Sequence, residues 1–161
     1  MGRAAVTFFT LTVAIALLAA LSIALRIKGY PFGGLGLDRL DGIANSATFM
    51  PLAALYAFAA MLMMILPVRA AGFVYLNAAQ PIWLAAIVLL ATIVGVQVAR
   101  VAFGDRNALW VLVDWKFVFA AAIIAVHFVL DALRRNILLR TLFFVVFLVA
   151  TLACLYWTFR L

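Results

Sequence analysis

The sequence predicts an all-α integral membrane protein: a bundle of about five transmembrane helices with short interfacial helices in its loops. Three observations carry that expectation. Apolar runs of bilayer-spanning length fill nearly all of the 161 residues, and only five acidic side chains interrupt them. Hydrophobic residues make up 71% of the chain against 11% charged, with a mean hydropathy of +1.30, a balance that only lipid tolerates as a solvent. The runs are also continuously apolar, without the alternation that the wall of a β-barrel requires.

The first span, 4–25, is closed by Arg26 and Lys28. It is longer than the core of a signal peptide and reads as an uncleaved helix. The stretch from Gly29 to Gly36, with Pro31 among its glycines, reads as loop geometry. Leu37, Leu40 and Ile43 then recur at helical spacing with charges between them, as one turn lying on the membrane surface would. Asn45, Ser46 and Thr48 offer N-caps to a second span, 49–68, with Pro51 in its first turn and Pro67 at its end. Residues 70–81 read as a short link. Pro81 and Trp83 open the third span, 82–102, and the turn at Gly104-Asp105-Arg106-Asn107 leads to a short interfacial helix rich in tryptophan. The fourth span, 117–133, passes through Arg134-Arg135-Asn136 almost directly into the fifth, 137–159. One transmembrane domain, 1–161, accounts for the whole chain, with no internal repeat.

A net charge of +7 and a pI near 10.6 invite a nucleic-acid partner, but the basic residues stand scattered at the ends of apolar runs. There Lys and Arg anchor helices in head groups and set orientation. Arg3, Arg69, Arg134, Arg135 and Arg140 fall on one side of the membrane. Arg26, Lys28, Arg39, Arg100, Arg106, Lys116 and Arg160 fall on the other, diluted by Asp38, Asp41, Asp105 and Asp114. The density of charge from Arg134 to Arg140 favours a cytoplasmic N-terminus in a multi-pass protein of a bacterial inner membrane. The lone Cys154 cannot form an internal disulfide and reads as a small hydrophobe.

Little chemistry is available. His127 and Asp131 stand four apart in the fourth span and Arg135 four further on, which on a regular helix puts them on one face. Ionisable groups inside a membrane raise a functional hypothesis by default. The bland alternative is a neutral histidine bonded to a neighbouring helix, with Asp131 paired to Arg134, Arg135 or a residue of another span. Gln97, in the third span with Thr92 and Gly95 nearby, suits an interhelical hydrogen bond better than a substrate contact. The run Met61-Leu62-Met63-Met64 points around its helix rather than converging on a metal. One histidine, one cysteine and no glutamate offer no bis-histidine haem, iron–sulfur cluster or carboxylate pair for acid–base catalysis. No catalytic residue, metal site or cofactor site is assigned.

The first span, the Gly29-Tyr30-Pro31 glycine-rich loop and the apolar helix beginning Thr48-Phe49-Met50-Pro51 resemble the small membrane subunits of tripartite solute transporters. The likeness spans about a quarter of the chain, departs from that family in having five spans, and is not a recognition of it. The expectation from the whole sequence is a non-catalytic membrane subunit of a larger complex in transport or electron transfer, partnered by other membrane subunits or by itself. One alternative is a small homo-oligomeric transporter or channel lined by polar residues of the third and fourth spans. Another is a membrane protein that binds lipid, quinone or pigment.

Overall fold

A computed structural model describes residues 2–159; Arg160, counted above in the charge balance, lies outside them. In chain order the helices are α1 (Gly2–Ile27), α2 (Pro31–Ile43), α3 (Ser46–Ile65), α4 (Val68–Val74) and, after a π-helical turn at Tyr75–Ala79, α5 (Gln80–Ala102). A 3₁₀ turn (Arg106–Leu109) leads to α6 (Trp110–Val113) and α7 (Trp115–Ala125). A second 3₁₀ turn (Val126–Val129) joins α7 to α8 (Leu130–Arg135), and α9 (Ile137–Phe159) follows. The protein is all-helical among the described residues, and five stretches are long and apolar enough to cross a membrane: Gly2–Ile27, Pro31–Ile65, Val68–Ala102, Trp115–Arg135 and Ile137–Phe159. It is an integral, multi-pass membrane protein with short helices between its spans.

Two expectations are corrected. The glycine-rich segment is a loop only as far as Tyr30, which caps α2 in an extended conformation, and the helix begins at Pro31. Proline fits the first helical position because its missing N–H would have no helical acceptor there. Residues 70–81 are likewise helical throughout, so that one 35-residue apolar stretch runs from Val68 to Ala102. Pro81 would interrupt a regular helix by striking the carbonyl of the preceding turn. The wider turn at Tyr75–Ala79 comes directly before it, with the Gln80 N–H donating back to the Tyr75 carbonyl. Asn77 Nδ2 satisfies the Phe73 carbonyl at 2.9 Å within the same distortion. Gly29 and Gly104, both at positive φ, close the turns after α1 and α5.

The chain divides into two compact units. The first joins the residues up to Thr48 with Ile87–Phe117. Here the glycines replace side chains at helix crossings. A Cβ on Gly33 would overlap the Leu25–Arg26 backbone of α1, and one on Gly36 would stand 3.0 Å from Ser22 Oγ. On α5, a Cβ at Gly95 would stand 2.9 Å from both the Thr12 carbonyl oxygen and Ile15 Cβ of α1. Close backbone approach at small residues is how helices gain dispersion contacts in lipid, where no hydrophobic effect drives them together. Asp41 of α2 and Arg100 of α5 add an ion pair at 2.5 Å. Arg26 and Asp38 stand 3.8 Å apart, both largely exposed.

The second unit joins Phe49–Ala86 with the residues from Val118 onward. Its buried members include Phe49, Tyr56 and Met63 of α3, Leu130 of α8, and Phe147, Ala150 and Cys154 of α9. Phe119 of α7 meets Trp157 of α9 edge to face at 5.5 Å. Arg140 of α9 reaches the C-terminal end of α3, where Nε donates to the Met64 carbonyl and a terminal nitrogen donates to the Ile65 carbonyl at 3.0 Å. The last carbonyls of a helix have no partner within it. A guanidinium satisfies them and balances the negative end of the helix dipole.

Candidate functional site

The residues singled out in the sequence fall into three places. His127 belongs to an aromatic cluster of the second unit. Asp131 and Arg135 line a cleft of that unit, and Gln97 belongs to the first unit.

The cluster gathers where the backbone departs from regular helix twice. His127 and Phe128 sit in the 3₁₀ turn Val126–Val129, and Tyr75 begins the π-turn. Tyr56 comes from α3 and Trp83 from the start of α5. The imidazole lies nearly parallel to the Trp83 indole, with centroids 4.3 Å apart and planes at 13°. It also stacks on Tyr75 at 5.5 Å and 12°. Phe128 meets the Trp83 ring edge-on at 5.4 Å. The buried Tyr56 hydroxyl and His127 Nδ1 share a hydrogen bond at 3.1 Å, whose direction follows the imidazole tautomer. Tyr75 Oη stands 3.4 Å from Nε2. Tyr75 therefore both stacks on the imidazole and brings its hydroxyl within hydrogen-bond reach of the ring. Sequence reasoning did not connect Tyr56, Tyr75 and Trp83 to His127. Their separations along the chain carry no periodic signal, and Tyr75 was expected in a link.

His127, Asp131 and Arg135 do not all line one pocket: Asp131 and Arg135 share a cleft that His127 does not line. Residues four apart in an α-helix lie about 40° apart around its axis. A 3₁₀ turn advances each residue further, so the same spacing opens towards about 120°. His127 therefore enters the aromatic cluster, while Asp131 lines a separate cleft of about 330 Å³ with Leu66, Val68, Arg134, Arg135 and Arg140. The expected direct pairing of Asp131 is also absent: among the described residues it makes no ion pair within 4.0 Å. Asp131 and Arg135 are exposed, while Arg134 Nε is buried with no acceptor among the described residues.

Gln97, 3% exposed, has a buried side-chain oxygen without a donor among the described residues. Thr92, on the same helix, returns its hydroxyl to the Val88 carbonyl at 2.9 Å. Cys154 is fully buried. Among the described residues no three His, Cys, Asp or Glu side chains converge where a metal ion could sit. Compared with protein-family models, curated proteins and solved structures, the chain matches none.

Proposed function

We propose that this chain is a non-catalytic integral-membrane subunit of a larger membrane complex. The observation that carries the proposal is how several of its polar side chains are committed to joining helices. Arg140 caps α3, Asp41 holds Arg100, and the single histidine is engaged by Tyr56 and stacked against Trp83. These groups fasten helices to one another within each unit. A catalyst needs convergent ionisable groups left free to move protons or attack a substrate. Transport or electron transfer by the complex as a whole is the activity such a subunit would serve. The proposal extends to a bacterial inner membrane with the N-terminus cytoplasmic, supported by the dense Arg134, Arg135 and Arg140 group.

Extraction in a gentle detergent followed by native mass spectrometry tests the assignment. Other membrane proteins are expected at fixed stoichiometry with this chain. Recovery of the chain alone, together with solute flux in liposomes containing nothing else, would replace the proposal with a self-sufficient transporter. For orientation, Asn136→Cys is expected to react with a membrane-impermeant thiol reagent from the cytoplasmic side; labelling from the opposite side would reverse it.

A further inference from the structure

We infer that the cleft between Leu66, Val68, Asp131, Arg134, Arg135 and Arg140 binds a phosphate-bearing anion at head-group depth. Its position comes first. Leu66 lies just past the span that ends at Ile65, and Val68 begins the next one. Arg134 and Arg135 finish the span that ends at Arg135, and Arg140 lies in the first turn of the span that begins at Ile137. The cleft therefore sits where four span ends meet, at the depth of lipid phosphates rather than of acyl chains.

Its charge comes second. Three guanidiniums face one carboxylate around about 330 Å³, so two positive charges are left without a counter-charge in the cleft. Arg140 is already engaged with the α3 carbonyls, and that contact also quenches the negative helix end that would repel an anion. Arg134 and Arg135 remain for a ligand. Arg134 Nε is buried and lacks an acceptor among the described residues, an arrangement that is costly unless something accepts its proton. Asp131 is out of ion-pair range and does not supply that acceptor. A tetrahedral phosphate suits the Arg134 and Arg135 side chains that line the cleft, because its oxygens match the planar fork of an arginine. Leu66 and Val68 give the cleft an apolar side, against which an attached acyl chain can lie.

The ligand chemistry is shared by a phospholipid head group and by free phosphate, and the experiment separates them. The full chain is reconstituted in nanodiscs of phosphatidylcholine carrying graded phosphatidylglycerol, and retained lipid is counted by native mass spectrometry. A parallel arm follows thermal unfolding in detergent with inorganic phosphate as the sole added anion. The expected result is selective retention of phosphatidylglycerol, reduced about tenfold by Arg135→Gln, the loss of one charge-assisted contact. Asp131→Asn is expected to increase retention, because it removes the repelling charge; a purely structural role of this cluster would not produce gains and losses of opposite sign. Phosphate that stabilises the protein and displaces the lipid identifies a free-anion site instead, and still supports the cleft. Arg135→Gln and Asp131→Asn carry the test because both side chains are exposed and neither is needed to fill the core. Equal retention of both lipids with no phosphate effect, or retention unchanged in Arg135→Gln and Asp131→Asn, would overturn the inference.

Discussion

Alanine at Gly33 tests how closely α1 and α2 pack. The added Cβ would stand 2.8 Å from the Leu25 carbonyl carbon and 2.9 Å from Leu25 Cβ, against 3.4 Å for an ordinary contact. The Arg26 backbone nitrogen would be nearer still, so the shortfall exceeds about 0.6 Å and falls chiefly on backbone; no side chain can swing aside and the helices themselves must separate. Overpacking of this kind costs about 1–3 kcal/mol. Alanine also favours helix over glycine by about 0.5–1 kcal/mol, which partly hides the clash. Gly34 removes that ambiguity: it is the next residue in α2, yet nothing lies within 4 Å of its Cβ position. Gly34→Ala gains the same helical preference without the clash, so the difference between the two variants isolates the contact at about 1–3 kcal/mol. Unfolding in mixed micelles titrated with dodecyl sulfate, followed by helical circular dichroism, measures both. If Gly33→Ala proves as stable as Gly34→Ala, the close approach of α1 to α2 is wrong.

Two further expectations concern the polar fastenings. Asp41→Asn and Arg100→Gln should each cost about 1 kcal/mol, because the pair is only part-buried, with side chains 31% and 32% exposed, and solvent screens part of its attraction. The exchange of Asp41→Arg with Arg100→Asp should recover part of that loss in the same titration, and a swap no better than the worse single variant would count against a direct pair. Tyr56→Phe keeps the buried ring and removes the hydroxyl bonded to His127 Nδ1, for a loss of about 1 kcal/mol. Combined with His127→Phe, the losses should fall short of the sum by at least about 0.5 kcal/mol; strict additivity would mean that the hydroxyl and the imidazole do not interact.

The spans were legible because lipid imposes one demand on every residue of a helix, and a run such as 137–159 satisfies it without reference to anything else. Contacts were less legible. Gly33 and Gly36 read as loop residues because glycine and proline carry the same local signal in a turn and at a close helix crossing; only the partner backbone distinguishes the two. Pro81 read as the start of a span because the turn that accommodates it has no sequence signature. The stripe from His127 to Arg135 was drawn on a regular helix, and a 3₁₀ turn of four residues at Val126–Val129 was enough to divide it. Arg134 and Arg135 were expected as anchors or partners of Asp131. That they share a cleft with Arg140 depends on how α8 meets α9, which residue spacing does not encode.

The π-turn at Tyr75–Ala79 also bears on how this helix can change by descent. Such a turn is a regular helix carrying one surplus residue, absorbed locally so that the flanking segments keep their facing. Deleting a residue there would restore an ordinary turn, but the ring of Pro81 would then meet the carbonyl four positions before it. Replacing Pro81 alone removes the reason for the wider turn while leaving the surplus residue behind. A change of length here and a change at Pro81 are therefore coupled by geometry. A lineage that lost the residue and kept the proline would carry a kinked helix, and one that lost both would carry a straight one.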